Sequence, residues 1–313
     1  MTDLKAAAKL LLEKDNIEIL THHYPDGDTL GSAYALCLSL QSLGKNVRVI
    51  TSGSVGAKYD FLKEGVKAQN FEREYVVSVD VASPSLLGEN QQEYEGIIDL
   101  CLDHPGTNNI VAKESFIDPA SAPAAEIIFE LIKELKAEIT PQIANCIYTA
   151  VSTDTGCFRY TNTTARSLRI AAELVELGAD FANINFRMFE LKTPAQLRLE
   201  CMVYNTLEYY YDGKLALIYV TTKMLESLGL TDDDVDGLAS IPRRIEGVLL
   251  GLTLREKKDG TFKISARSNG NINAAEFCKN FSGGGHPAAA GCTIEGDLES
   301  VKEKLIKAAE NVL

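Results

Sequence analysis

Residues 17–44 read IEILTHHYPDGDTLGSAYALCLSLQSLG. The first four, Ile17–Leu20, are a short apolar run rich in β-branched residues, which predicts a buried strand. From Thr29 onward the apolar residues Leu30, Ala33, Tyr34, Cys37, Leu38 and Leu40 fall at helical spacing. Gly44 stands where a helix C-cap belongs. Between strand and helix lies a turn holding two histidines and two aspartates within seven positions, His22 to Asp28. Strand, polar turn and helix together open a parallel α/β arrangement.

The alternation continues outward. NVRVITSG (46–53), YVVSVDVAS (75–83) and GIIDLCLDHPGTNN (96–109) read as further strands. SAPAAEIIFELIKELKAE (121–138), entered at Ser121 or Pro123, and TARSLRIAAELVELG (164–178), closed by Gly178, read as helices. QIANCIYTAVSTDTG (142–156) is apolar throughout, so its period does not separate strand from helix. Residues 182–210 suggest one or two polar helices that connect domains. Beyond them the texture changes. KLALIYVTT (214–222) is a strand, and VLLGLTLREKKDGTFKISARS (248–268) is a hairpin around Asp259-Gly260. NAAEFCKNF (273–281) is a short helix leading into the glycine-rich SGGGHPAAAG (282–291). Residues 297–313 form an amphipathic helix.

The chain has 313 residues, a prior of about two domains. Its hydrophobic fraction of 45% and charged fraction of 24% are those of a soluble globular protein. No apolar run reaches the roughly 20 residues a bilayer span needs. The first residues, MTDLKAAAKLLLEKDN, have acidic residues and a helical period rather than a signal-peptide pattern. The expected setting is cytoplasmic, with no membrane partner. The seven cysteines are odd in number and contain no C-x-x-C pair, which favours reduced, mostly buried thiols. A formal net charge of −13 argues against gripping long nucleic acid through a broad basic surface. A small phosphate-bearing ligand stays compatible, because bound cations add charge that the side-chain count omits.

In an open parallel sheet, ligands bind outside the carboxyl ends of the strands. His22, Asp26 and Asp28 follow the first predicted strand, Asp80 the third, and Asp103 and His104 the fourth. Asp154 ends the ambiguous apolar run and is taken here as another strand-end residue. A single Asp at a strand end is more often a cap or turn residue than a ligand. Asp28 could cap the helix, and Asp80 the turn at Ser83-Pro84. Several carboxylates at equivalent edge positions would repel one another strongly. Divalent cations resolve that conflict, and mixed Asp/His ligation suits Mn²⁺, with Mg²⁺, Co²⁺ or Fe²⁺ as alternatives. The donors suffice for two ions.

These residues carry a resemblance. His22-His23-Tyr24-Pro25-Asp26-Gly27-Asp28 with Gly31-Ser32 resembles the first motif of the DHH phosphoesterase superfamily. Asp80, Asp103-His104-Pro105 and Asp154 resemble its later motifs, and Gly283-Gly284-Gly285-His286 resembles the signature of the DHHA1 domain. The match spans nearly the whole chain, with the motifs in order. It is most like the bacterial oligoribonucleases that also hydrolyse 3′-phosphoadenosine 5′-phosphate (pAp). The resemblance implies a parallel-sheet catalytic domain with helices on both faces over residues 1–183 and a helical linker over 184–210. A smaller α/β domain over 211–313 would grip the nucleotide.

The resemblance also implies roles. His22, Asp26 and Asp80 would hold one metal; Asp28, Asp80, His104 and Asp154 would hold the other, with Asp80 bridging. Asp80, Asp103 and His104 would form the catalytic group, Asp103 orienting His104 through its ring nitrogen. Arg159, Arg267, Ser268, Gly283, Gly284, Gly285 and His286 would contact substrate, a short RNA or a small nucleotide. On sequence alone Arg267 could equally be a solvated surface charge, and a glycine run a flexible loop. Pro105 stands where the family has a second His, which questions phosphate contact or leaving-group protonation rather than metal binding. His23 is the candidate to replace it. Tyr24 replaces a frequent Asn. Three readings stay open: a linear or cyclic dinucleotide phosphodiesterase, a pyrophosphatase, which the glycine loop disfavours, and a nucleotide-binding regulator without chemistry. A homodimer is compatible with all of them.

Overall fold

The computed structural model describes residues 2–53, 55–235 and 237–313. It divides into two compact units, Met1–Leu191 and Lys192–Leu313. The first contains strands β1 (Ile17–Leu20), β2 (Val47–Ile50), β3 (Tyr75–Val79), β4 (Ile98–Asp103) and β5 (Ala112–Ile117). Its helices are α1 (Leu4–Glu13), α2 (Gly27–Ser42), α3 (Gln91–Tyr94), α4 (Ala124–Glu134), α5 (Pro141–Asp154), α6 (Ala165–Glu176) and α7 (Phe181–Asn185).

All neighbouring strands are parallel, in the order β2-β1-β3-β4-β5. That order reverses direction between β1 and β3. A doubly wound sheet opens its ligand crevice at such a reversal, outside the carboxyl ends of the two strands. The residues there are Thr21–Asp28 and Asp80. One face of the sheet buries Ile17, Ile19, Val77, Val79, Leu100 and Leu102 against α1, α2, α4 and α5. The other buries Leu20, Val76, Ile98 and Cys101 against Leu87 and Tyr94, from a 3-10 turn at Pro84–Asn90 and from α3.

Two expectations need correction. Asp154 does not follow a strand: it ends α5, a helix of 14 residues with Thr140 as N-cap and Pro141 in its first turn. The helix is buried on nearly every side from Ile143 to Ser152, so it lacks the polar face that would have revealed its period. The glycine-rich segment is not all loop, because Gly284–His286 pairs as a strand. Strand β5, AKESFI, carries too mixed a pattern to read from sequence.

The second unit holds α8 (Pro194–Tyr204), α9 (Thr222–Leu228), α10 (Ala274–Lys279) and α11 (Leu298–Ala309). Its strands are β6 (Glu208–Tyr210), β7 (Leu215–Val220), β8 (Leu250–Glu256), β9 (Thr261–Ser268), β10 (Gly284–His286) and β11 (Ala289–Glu295). They form one mixed sheet in the order β10-β11-β9-β8-β7-β6. β8 and β9 are the expected hairpin. Phe262, Ile264 and Ala266 alternate inward from β9 against α10 and α11. Among the described residues no helix is long and apolar enough to cross a membrane.

Candidate metal centre

Each carboxylate at the sheet edge is held by local structure. Asp26 is the N-cap of α2: its Oδ1 accepts from the backbone N–H of Asp28 (3.0 Å) and Thr29 (3.1 Å). Asp28, in the first turn, is buried and faces the start of another helix. Its Oδ2 accepts from Ala124 N (2.8 Å), and its Oδ1 from Ala125 N (3.1 Å) and Ser32 Oγ (3.2 Å). The free N–H groups and positive end of α4 therefore hold a carboxylate from α2. The helix that Asp28 helps to cap is thus α4, through those two N–H groups, while Asp26 caps its own.

Asp80 follows β3 with φ at +57°, a left-handed conformation that costs a non-glycine residue about 1–2 kcal/mol. Its N–H still donates to Leu102 O at 3.1 Å, so the kink occurs while the sheet pairing continues. The side chain then lies between two histidines. Oδ2 is 3.7 Å from His22 Nε2, and Oδ1 is 3.6 Å from His104 Nε2. His22 Nε2 is also 3.8 Å from Asp26 Oδ1. Ligand-type atoms consequently gather in two groups that share Asp80: His22, Asp26 and Asp80, and Asp28, Asp80 and His104.

Asp103 is fully buried beneath. It accepts from the backbone N–H of His104 (2.7 Å) and from the Asn108 amide, so these bonds place His104 through its backbone. Asp154 stands outside both groups, with Oδ2 accepting from Asn162 Nδ2 at 2.9 Å. Its charge nonetheless acts on Asp28 and Asp80. Asn108 and Asn162 were not singled out from the sequence. Each stands a few residues beyond the acid it holds, and a polar amide there looks like ordinary turn chemistry.

Burial pushes the Asp28 carboxyl well above the usual range, and the Asp154 and Asp26 charges add to it. Burial does the same to Asp80, reinforced by Asp28, Asp26, Asp103 and Asp154. Asp154 is pushed up to about 7 by burial and by Asp26, against the Asn162 hydrogen bond. Asp103 is raised by burial, with Asn108 and the His104 N–H opposing. Asp26, on the rim, goes the other way. Partial desolvation acts upward on it, but His22 and the two capping N–H groups outweigh that and lower it. The charge conflict inferred from sequence is therefore present. A donor set of carboxylate oxygens and imidazole nitrogens around one shared carboxylate fits hard or borderline divalent cations, and these residues can hold a metal ion.

Family models match residues 16–151 to the DHH family, N-terminal domain, and residues 213–313 to the DHHA1 domain. A curated relative, the bifunctional oligoribonuclease and PAP phosphatase NrnA of Thermus thermophilus, is 33% identical over 95% of this chain and 90% of its own. The chain belongs to the DHH family. A solved structure, that of an exopolyphosphatase-related protein from Bacteroides fragilis, is 25% identical and superposes with a TM-score of 0.90 over 98% of this chain and 96% of that one. RecJ from Thermus thermophilus, solved with Mn²⁺, shares the fold at 18% identity, with a TM-score of 0.58 over 98% of this chain and 55% of that one.

The residues expected to meet substrate fall in two places. Arg159 is in the first unit, six residues before the start of α6. It is exposed, its Nε donates to Gly156 O (2.6 Å), and its guanidinium lies 5.7 Å from the Phe189 ring. Arg159 follows three successive left-handed residues, Gly156, Cys157 and Phe158, with φ of +57°, +58° and +60°. The others are in the second unit. Arg267 on β9 and His286 on β10 both pair with Ala289 on the strand between them, so their side chains emerge on one sheet face. Ser268 is buried and donates its hydroxyl to Pro287 O at 2.8 Å. A Cβ at Gly283 would lie 2.3 Å from Gly291 O, and one at Gly285 would lie 2.6 Å from Ala289 O. Their own hairpin thus explains two of the three glycines, and only Gly284 is open.

Proposed function

We propose that this chain is a metal-dependent phosphoesterase that hydrolyses short oligoribonucleotides, pAp, or both. The observation that supports it best is Asp80, which turns one carboxylate oxygen toward each of two histidines inside a ring of acids. Two divalent ions, most suitably Mn²⁺, would be held there: one by His22, Asp26 and Asp80, the other by Asp28, Asp80 and His104, with Asp154 adjacent. Such ions neutralise the charge of a phosphoryl group and activate water for attack on phosphorus.

The chain supplies position. The start of α4 fixes Asp28, the cap of α2 fixes Asp26, and the kinked backbone at Asp80 aims its carboxylate between the histidines. Asp103 and Asn108 hold the backbone that carries His104. Arg159 in the first unit, and separately Arg267 and His286 on the sheet of the second, would bind substrate phosphates, a task that the forked guanidinium suits. A chain of net charge −13 favours short substrates held by a few such contacts.

The name of the Thermus NrnA relative points the same way. A substrate panel with Mn²⁺ tests the reading: pAp, RNAs of two to five nucleotides, linear and cyclic dinucleotides, pyrophosphate and polyphosphate. Fastest turnover is expected on pAp and the short RNAs. A clear preference for cyclic dinucleotide, pyrophosphate or polyphosphate would overturn it.

A further inference from the structure

Between His22 and Asp26, both in the first group of ligand-type atoms, the chain passes through His23 and Tyr24. Their rings are in contact, with centroids 3.7 Å apart and planes tilted by 47°. The Tyr24 side chain is 77% exposed. A single exposed aromatic needs no explanation. This one rests on a partner that is pinned from below.

His23 donates its backbone N–H to Leu86 O at 2.8 Å, and its ring Nδ1 donates to the same oxygen at 3.2 Å. Its Cβ sits over Gly88, which has φ of +58°; a Cβ there would lie 2.4 Å from His23 Cβ and 2.9 Å from Ser52 Oγ. Ser52 Oγ in turn accepts from Glu89 N at 3.2 Å. Ring, carbonyl and glycine thus lock His23 into one pose, and that pose presents Tyr24. His23 is therefore committed to the turn, and the structure gives no support to its replacing the histidine missing at position 105.

We propose that the His23–Tyr24 ring pair is a platform for a nucleobase, taking the base of the nucleotide whose phosphoryl group lies at the metal site around Asp80. The inference rests on the phosphoesterase reading. A phosphate ester of a nucleoside carries its base one ribose away from phosphorus. Tyr24 stands at the apex of a turn whose two ends, His22 and Asp26, approach to 3.8 Å at that site. An aromatic face carried on a fixed turn beside the chemistry and open to solvent is what stacking needs, and stacking accepts any base because every base has a π-face.

The chain contains no tryptophan, so Tyr24→Trp creates a unique fluorophore that keeps a stacking ring. With Mg²⁺ present, AMP should quench this emission saturably while ribose 5-phosphate, which lacks a base, should not. Tyr209→Trp, at a 51% exposed position on β6, should respond to neither. In kinetics, Tyr24→Ala should raise KM for pAp by about 5- to 150-fold, the loss of one stacked base, and leave hydrolysis of p-nitrophenyl phosphate within about twofold. Tyr24→Phe and Tyr24→Trp should restore the low KM. Equal quenching by ribose 5-phosphate, or an unchanged KM in Tyr24→Ala, would overturn the platform. If the unmodified protein hydrolyses no nucleotide ester, the functional reading falls, and the AMP titration still decides whether Tyr24 stacks a base.

Discussion

Asp80 Oδ1 lies 3.6 Å from His104 Nε2, although 24 residues of sequence separate them. Parallel pairing of β3 with β4 puts the two strand ends side by side, and the left-handed kink at Asp80 turns the carboxylate across. The opposite oxygen reaches His22 from β1. Three strands thus meet on one side chain. Loss of that side chain should be felt by both ligand groups, unlike loss of any other member.

Asp80→Ala should therefore abolish activity more fully than Asp26→Ala, Asp28→Ala or His104→Ala. A fall of about 1000-fold or more, roughly 4 kcal/mol of barrier, is expected. Metal content per chain should fall with it. Near-normal turnover with an unchanged number of metals per chain would show that Asp80 does not bridge.

Pro105→His restores the residue type the family pattern has at that position. In the family pattern the histidine at that position is not a primary metal ligand. The variant should keep the metal stoichiometry of the parent, measured by elemental analysis. Any gain should be on esters with poor leaving groups, where an added proton donor helps. A changed number of bound metals would mean that this position ligates.

Much of this centre was legible because strand ends are legible. Apolar runs such as YVVSV and IDLCL stop at an acid, and the parallel α/β topology brings such stops to one edge. Asp154 shows the limit. Its helix is buried all round, so its apolar run was compatible with a strand, and Asp154 arrives from a helix end instead. The restraints around the acids were also hidden. That α4 donates to Asp28 depends on a contact 96 residues away in sequence, and backbone N–H groups leave no mark in the side-chain pattern. The glycine segment is legible only in part, because its pairing with β11 leaves no mark in a run of glycines and alanines.

Gly31 links the fold to the site. A Cβ there would lie 2.3 Å from Cys146 O and 2.9 Å from the Ala150 Cβ, so α2 and α5 touch through this glycine. In an open helix, glycine to alanine gains about 1 kcal/mol. Here Gly31→Ala should instead lose roughly 1–3 kcal/mol through overpacking, lowering Tm by several degrees. It should also weaken metal binding, because α2 carries Asp28 and α5 carries Asp154. A raised Tm in a scanning melt would contradict the contact.

Stability should fall with rising pH without metal and hold steady with it. The raised carboxyls, Asp154 at about 7 and Asp28 and Asp80 well above the usual range, bind protons more tightly folded than unfolded. Their contribution is present at low pH and is lost as pH rises through the folded-state values. In EDTA, Tm should therefore fall as pH rises from about 6 to 8. With Mn²⁺ the cation replaces the protons, so that fall should vanish and binding should release protons, detectable by calorimetry in buffers of different ionisation enthalpy. A metal-free Tm that rises steadily across this range would show that these acids are not strained by one another's charge.

His286 and Ser268 stand close in sequence pattern but should fail in different ways. His286 is exposed on the edge strand β10, and its side chain emerges beside that of Arg267 across Ala289. Ser268 is buried, and its hydroxyl donates to Pro287 O, fastening the residue that follows His286. Removing an exposed imidazole leaves no buried group unpaired, so His286→Ala should keep its Tm within about a degree. Its cost should appear in KM for short RNA, about 5- to 150-fold for one lost charge-assisted or stacking contact. Hydrolysis of p-nitrophenyl phosphate, which offers no second phosphate and no base, should change little. Ser268→Ala removes one of two donors to the Pro287 carbonyl, the other being the Ala274 N–H at 2.7 Å, a loss of about 0.5–1.5 kcal/mol. That variant should melt lower and should raise KM for RNA indirectly, by loosening His286. Steady-state kinetics on both substrates, paired with melting curves, separates the two effects. A His286→Ala variant that melts several degrees lower and loses both activities equally would show that the histidine packs the hairpin and does not hold substrate.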